Sequence, residues 1–498
     1  MNILAEIPPV LGVMGILLII GIVSTRISSH FNVPTLLLFL GLGMVVGYRY
    51  EATTNFIGIA NFIGTVAMCY ILFSGGMDTS FRSIKSQMLP GGLLATLGVM
   101  ITAAVMGGAT MLLFPHWDWR FAMLLGCVVS STDAAAVFSI LSGRGISLKN
   151  NLKPLLELES GSNDPMAYFL TLFFLTMITD GDSASSFWML VPTMVLKLGV
   201  GVLVGWLSGL AGRWMFNRSE LDYEGLYLVM GIGLVLIAYG VAEVAFGNGF
   251  MSVYVCGMTM GSLKFARKKA LSRFHEGIAW LMQVIMFLML GLMVTPQMLR
   301  GVAVYGLPLA AILVLVARPV AVFACLILPG CHFKWREMLL VSWVGLRGAA
   351  PIVLATFPLV YGLDNAGMLF HVVFFIVILS VLVQGRGLMP VARFLKLQRP
   401  SAHRRRLPLE LDDSAGMNNE MYEFSVEPDS PLVGKTLAEL CFPNGALVLL
   451  IRRSSGFVLP RGNTVIEVGD GVVVMADSAT LGKLAVECFH DREFEGLN

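Results

Sequence analysis

Charge is what this sequence has least of. Only 13% of its 498 residues are Asp, Glu, Lys or Arg, about half the share of a soluble globular domain. With 56% hydrophobic residues and a mean hydropathy of +0.78, that scarcity excludes a soluble enzyme or a nucleic-acid-binding surface. The seven histidines are dispersed with no HExxH spacing. The seven cysteines (Cys69, Cys127, Cys256, Cys325, Cys331, Cys441 and Cys488) form no CxxC or Cys/His ligand spacing. Neither a zinc site nor a disulfide framework is therefore expected, and no cofactor. No TVGYG-like filter marks a selective channel. An enzyme embedded in the membrane would need a nucleophile with its base, or a metal cluster, and neither pattern is present. Residues 1–10 lack a basic region and carry Glu6, Pro8 and Pro9, unlike a cleaved signal peptide.

What is present is a series of apolar runs long enough to cross a bilayer. Turn and charge clusters divide them into about 13 spans, near 8–25, 34–48, 56–74, 91–114, 120–142, 154–179, 187–212, 225–246, 249–263, 277–294, 302–328, 337–360 and 367–386. The 53 glycines and 30 methionines suit helices that pack closely inside lipid. Basic residues are biased to alternate loops, 15 against 3 (Arg49, Arg120 and Arg300). That bias predicts a multi-pass membrane protein with its N-terminus outside and its C-terminus in the cytoplasm.

The charge changes sign along the chain, with 25 Lys+Arg against 17 Asp+Glu up to Pro400 and 9 against 15 beyond it. The predicted organisation is a transmembrane domain over 1–386, a basic juxtamembrane linker over 387–418, a cytosolic domain over 419–490 and a tail over 491–498. The linker, with Arg404, Arg405 and Arg406, suits acidic headgroups. In the cytosolic part, short alternating runs at Tyr422–Glu427, Ala446–Arg453, Phe457–Pro460 and Thr464–Asp477 predict strands. Helical stretches near Thr436–Leu440 and Ala479–Cys488 would complete a small α+β fold.

A charge at the middle of a membrane costs at least about 2.5–3.5 kcal/mol, so its default reading is functional. Four spans carry such charges: Ser130-Ser131-Thr132-Asp133 in the fifth, Glu159-Ser160-Gly161-Ser162-Asn163-Asp164-Pro165 in the sixth, Arg318-Pro319 in the eleventh and Gly345-Leu346-Arg347-Gly348 in the twelfth. On a helix, Glu159 lies beneath Asn163 and Ser160 beneath Asp164, so two carboxylates, an amide and a hydroxyl face one sector. Pro165 cannot donate to the Gly161 carbonyl, leaving an oxygen of the kind hard cations take. The polar or Gly/Pro-rich breaks in spans five and twelve, seven spans apart, predict two broken helices meeting at mid-membrane, one from each half of a repeat of six helices around a linker helix. Plainer roles exist for several of these groups: Asp133 as a helix cap, Glu159 with Arg347 as a structural ion pair, Arg318 as a structural cation, and Lys197 and His371 as satisfied polar residues.

In that order, Thr132-Asp133, Glu159-Ser160…Asn163-Asp164 and Gly345-Leu346-Arg347-Gly348 resemble the motifs of the cation:proton antiporter 1 family, across essentially all the spans. Within it the chain is similar to bacterial NhaP-type potassium(sodium)/proton antiporters, which implies a bacterial inner membrane. Ser430-Pro431-Leu432-Val433-Gly434-Lys435-Thr436-Leu437, Arg452-Arg453…Pro460-Arg461-Gly462 and Gly469-Asp470 are similar to a TrkA-C (RCK-C) module, with no GxGxxG half before it. The resemblance implies inverted repeats with crossed broken helices, a homodimer, and a tail that either binds a small regulatory ligand or aids assembly. It implies that Asp164, Asp133, Thr132 and Ser160 shape the ion site, while Glu159, Asn163 and the arginines Arg347 and Arg318 organise it, Glu159 pairing with an arginine such as Arg347. Ala134 and Pro165 depart from the commonest family pattern beside these ligands.

The expected activity is efflux of K+, or of Na+, in exchange for H+. Taking a carboxylate out of water disfavours its charged form, so a proton and a cation compete for Asp164. Asn163 cannot titrate, which predicts one proton per cation and electroneutral exchange. A Na+(Li+)/H+ antiporter is the nearest alternative; a ligand-gated channel or a non-transporting sensor stands further off.

Overall fold

The structure, a computed structural model, describes residues 12, 15, 16, 19, 20, 22, 35–47, 54–79, 81–142, 146–149, 152–181, 187–294, 296–400, 419–426, 430–440, 443, 445–453, 456–477, 480, 481, 483 and 484. Most of the first expected span, the linker from 401 to 418 and the tail from 491 lie outside them. The chain forms two units, Met1–Ser401 and Ala402–Asn498, each taken by itself below.

Spans two to thirteen all fall on helix. They are α1 (Thr35–Gly47), α2 (Thr54–Asp78), α3 (Lys85–Leu113), the pair α4 (Trp119–Val128) and α5 (Ala134–Ser142), α6 (Leu152–Thr179), α7 (Leu190–Arg218), α8 (Glu224–Val244), α9 (Gly249–Ser262), α10 (Lys268–Leu292), α11 (Gln297–Leu326), the pair α12 (Trp335–Val344) and α13 (Ala350–Val360), and α14 (Ala366–Phe394). Among the described residues, seven of these are long and apolar enough to cross a membrane alone. The broken ones are not, because each is two half-helices. Ser and Thr side chains compete for backbone groups at 130–132, and glycines at 345 and 348 remove the helix preference.

The two halves share more than their breaks. Just before each broken pair, α3 and α11 contain one π-helical turn, Leu94–Gly98 and Leu313–Ala317. The same irregularity at the same place before each break is what two repeated halves would share.

Small residues let the helices meet. A Cβ on Gly43 of α1 would stand 3.0 Å from the Cα of Gly291 on α10, so backbone packs on backbone there. Large apolar side chains point outward instead, among them Val195, Leu203, Trp206 and Trp214 on α7. α14 runs eight residues past the boundary drawn at 386, and the chain after it pairs β2 (Gln398–Pro400) antiparallel with β1 (Ile146–Leu148). That strand pair ties the end of the last helix to the loop after α5.

In the second unit, β3 (Asn419–Ser425), β4 (Leu447–Arg453), β5 (Gly456–Val458) and β6 (Gly471–Asp477) form an antiparallel sheet in the order β3-β6-β4-β5. Phe424, Ile466, Val472, Val474 and Leu484 fill its core. Residues 436–440, expected as helix, are turns instead: Thr436 bridges to Val465 and donates its N–H to Glu439. Arg453 forks onto the buried Asp470, with Nε 3.0 Å from Oδ1 and Nη2 2.9 Å from Oδ2. Residues 480, 481, 483 and 484 are helical; the rest of the second expected helix lies outside the described residues.

Candidate ion-binding site

The two breaks cross. Asp133 donates its N–H to the Leu346 carbonyl at 2.8 Å. The Arg347 Nη1 donates to the carbonyls of Ser130 and Ser131 at 2.9 and 2.6 Å. Each break thereby supplies the other with the partners that unwinding removed. Asp133 also caps α5, accepting from the Ala136 N–H at 3.2 Å, the plain role weighed for it above. Gly348 is glycine because a Cβ there would overlap the Asp133 carboxylate, and one on Gly345 would lie 2.6 Å from the Arg318 Nε.

α6 passes beside this crossing and delivers three side chains to it. Asp164 accepts a hydrogen bond from the Ser131 hydroxyl. Asn163 donates to the Thr132 hydroxyl. Ser160 donates to the Thr132 carbonyl and accepts from the Ala134 N–H, both at 3.0 Å. Thr132 and Ser160 therefore hold the break against α6, while the hydroxyl on Asp164 is Ser131, which the sequence reading left out of the site. In an extended segment neighbouring side chains point to opposite faces, and residue type alone does not tell 131 from 132.

Glu159 turns the other way. Its carboxylate lies 2.5 Å from Nη1 of Arg318 on α11, both side chains being almost fully buried. This corrects the pairing expected with Arg347: that guanidinium spends Nη1 on carbonyls, and its Nε and Nη2 are buried with no protein acceptor.

Two supports came from helices where no site residue was expected. On α14, Ser380 accepts from the Arg347 N–H at 3.1 Å and is bonded to Gln384, whose Nε2 donates to the Trp343 carbonyl at 2.9 Å. Polar residues four apart in an otherwise apolar span were the available signal. Asn248 caps α9 through the Met251 N–H at 2.9 Å and donates to the Pro165 carbonyl at 2.8 Å, fixing α6 next to Asp164. Gly161 lies against the Tyr254 ring, which a Cβ would strike. Lys197 accepts through its backbone from Asn248 at 3.0 Å, and His371 contacts the Gly367 carbonyl at 2.6 Å.

The outcome is a buried charge cluster with one member unmatched. Glu159 has Arg318; Arg347 has carbonyls; Asp133 has the Ala136 N–H. Asp164 is partly accessible and, among the described residues, has no cationic side chain paired with it. Groups of three or more His, Cys, Asp or Glu able to hold a metal are absent among the described residues.

Comparison with known proteins agrees with this architecture. Residues 14–394 match the family described as "Sodium/hydrogen exchanger, transmembrane", and residues 421–487 match the TrkA-C domain. A K(+)/H(+) antiporter NhaP from Alkalimonas amylolytica is 37% identical over 94% of this chain and 81% of its own length. A K(+)/H(+) antiporter NhaP2 from Shewanella baltica is 35% identical over 94% of this chain and 80% of its own. The solved structure of the sodium proton antiporter MjNhaP1 from Methanocaldococcus jannaschii aligns with a TM-score of 0.64 over 76% of this chain and all of that one, at 22% identity, and so shares the fold. With its crossed breaks, its unmatched carboxylate and these matches, the chain belongs to the sodium/hydrogen exchanger family and carries a TrkA-C domain at its C-terminal end.

Proposed function

We propose that this chain exchanges K+ for H+ one for one, both ions competing for Asp164 in an alternating-access cycle. The observation that carries this is the charge balance of the cluster. Two arginines, Arg318 and Arg347, face three carboxylates, Glu159, Asp133 and Asp164, so the fully ionised site keeps one negative charge. One monovalent cation or one proton neutralises it; a bare net charge would oppose movement through the membrane. Asp164 takes that ion because it accepts from a hydroxyl that can reorient, whereas Asp133 caps α5 and Glu159 is held by Arg318. Asn163 holds the break without titrating, which supports electroneutral exchange.

Potassium is favoured by the curated relatives, named as K(+)/H(+) antiporters. Sodium is the second reading, supported by the name of MjNhaP1 as a sodium proton antiporter. The loop charges support an N-terminus outside and a C-terminus in the cytoplasm of a bacterial inner membrane, and a homodimer is proposed on the family resemblance. The TrkA-C unit would then face the cytoplasm, where it senses a small ligand or aids assembly. Nothing in this reading asks for bond-making chemistry, and we place the chain among transporters rather than enzymes.

The test is proton movement in proteoliposomes, driven in turn by K+, Na+, Rb+ and Li+ at several pH values. Asp164→Asn should abolish exchange with every cation while the protein still folds. Cation-dependent proton flux surviving in that variant would sink the assignment.

A further inference from the structure

One face of α6 carries polar side chains on both sides of Asp164. Glu157 stands seven residues before Asp164 and Thr171 seven residues after it, which puts the three on one line, with Gly161 and Tyr168 close to it. The two halves of that face differ in exposure. Toward the basic-loop end, Lys153 is exposed, and Glu157, Ser160, Gly161 and Asp164 are partly accessible. Beyond Asp164, every residue from Pro165 to Thr171 is buried. Thr171 is out of place in that shut half: it is fully buried and its hydroxyl has no hydrogen-bond partner. Thr102 and Thr110 on α3, by contrast, donate back to the carbonyl four residues earlier. A buried hydroxyl left unpaired is unfavourable, and it is relieved when the group meets water in another conformation.

The shut half is closed from α9. Asn248 is 2% exposed and is anchored away from α6. Its Oδ1 accepts from the Met251 N–H at 2.9 Å, its N–H donates to the Lys197 carbonyl on α7 at 3.0 Å, and its carbonyl accepts from the Ser252 N–H at 3.0 Å. Its Nδ2 is the group that crosses to α6, donating to the Pro165 carbonyl at 2.8 Å, one residue past Asp164. Two residues further on α9, the buried Phe250 meets the Tyr168 ring edge-on at 4.7 Å.

We propose that the Asn248–Pro165 hydrogen bond is the latch that shuts this face of α6 on the side opposite the basic loops, and that it breaks each time Asp164 turns to that side. The inference rests on the alternating-access reading above. A carboxylate that trades ions between two solutions must be reached from each in turn, and the residues of α6 leading away from the basic loops are those held by Asn248 and Phe250. A single neutral hydrogen bond suits a contact that must form and release in every cycle. Asn248 is a positioning residue, because its task requires no contact with the ion. Serine and threonine also cap a helix, and neither has the amide N–H that reaches α6.

Solvent access to position 171 tests the latch in full-length protein, with Cys331, Cys441 and Cys488 replaced by serine. Thr171→Cys in sealed vesicles, the surface opposite the basic loops outermost, is treated with a charged, membrane-impermeant thiol reagent. Its reaction should be slow with Asn248 in place and at least fivefold faster after Asn248→Ser or Asn248→Thr. The native Cys256, buried on α9, should stay unreactive throughout. Equal acceleration at Cys256 would mean a general loss of packing and would overturn the proposal, as would labelling of Thr171→Cys within twofold of the rate with Asn248 intact. In K+-driven proton exchange the same two variants should raise the apparent KM for K+ on the basic-loop side at least threefold, because fewer molecules face that side. A lowered maximal rate at unchanged KM is the mark of a helix cap alone and would also overturn the latch. Wild-type protein that exchanges no cation for protons would overturn the antiport reading, whereas an unshifted labelling rate overturns the latch alone.

Discussion

Removing the Arg318 guanidinium should destabilise the membrane domain, and removing Glu159 as well should recover part of the loss. Glu159 and Arg318 are 1% and 3% exposed, with Nη1 2.5 Å from the carboxylate. Breaking a buried pair at one end costs about 3–5 kcal/mol, because the survivor keeps a charge with nothing to offset it. Arg318→Met preserves most of the packed stem and isolates that effect. Glu159→Gln does the same from the other side. In the double variant no charge is stranded, so the two losses should fall short of additivity by about 2 kcal/mol. Arg347 is spent on the Ser130 and Ser131 carbonyls, so Glu159→Gln with Arg347→Met should couple by less than about 1 kcal/mol. Unfolding of the protein in detergent micelles, at all four corners of each cycle, supplies the numbers. Stronger coupling of Glu159 to Arg347 than to Arg318 would refute the pairing and restore the one read from sequence.

Gly348→Ala should cost about 1–3 kcal/mol by overpacking against Asp133 and lower transport. Gly367→Ala, where a Cβ meets open space, should leave the same transport assay unchanged. Gln384→Leu strands the Trp343 carbonyl and should cost about 1–3 kcal/mol, measured by thermal unfolding in detergent. In the TrkA-C unit, burial pushes the Asp470 carboxyl up, while the Arg453 guanidinium and the Glu467 N–H together pull it below its ordinary value. A depressed carboxyl contributes stability above its unfolded value, about 3.9, and that contribution is lost as pH falls through the folded one. Hydrogen exchange over residues 419–477 of the full chain should therefore show protection falling on acidification. Arg453→Met should lower protection at pH 7 and flatten that dependence.

Hydropathy made the helices of the membrane domain legible, because lipid demands long apolar runs and leaves few other ways to satisfy a backbone. The breaks were legible for a related reason: Ser-Ser-Thr-Asp and Gly-Leu-Arg-Gly have no other business inside such runs. Partners were not legible. Glu159 had two buried arginines to choose between, each more than 150 residues away, and helix packing rather than spacing decides for Arg318. Ser380 and Gln384 were visible as polar residues in an apolar span, yet their targets exist only because α12 stops at Val344 and frees the Trp343 carbonyl. Thr436–Leu440 misled because its composition permits a turn of helix, while the bridge from Thr436 to Val465 ties it to the sheet instead.

The crossing also gives a reason for placing the proposed ion-binding carboxylate on α6 and not in either break. A broken helix presents a negative carbonyl end and a positive amide end. Arg347 sits on the carbonyl end left by α4, and Asp133 on the amide end of α5. Both charges are committed to holding the break open, and exchanging either for an ion would let the half-helices lose their caps. Asp164 reaches the same point from an unbroken helix. As the proposed ion site, it would gain or lose an ion without disturbing the backbone around it, since the Ser131 hydroxyl donates to the carboxylate and its oxygen can turn to a proton or a cation instead. Moving the working carboxylate into the break, as in the pair Asp164→Asn with Asn163→Asp, would test this division of labour. The displaced carboxylate should face Thr132 and fail to restore transport, although the charge of the site is conserved.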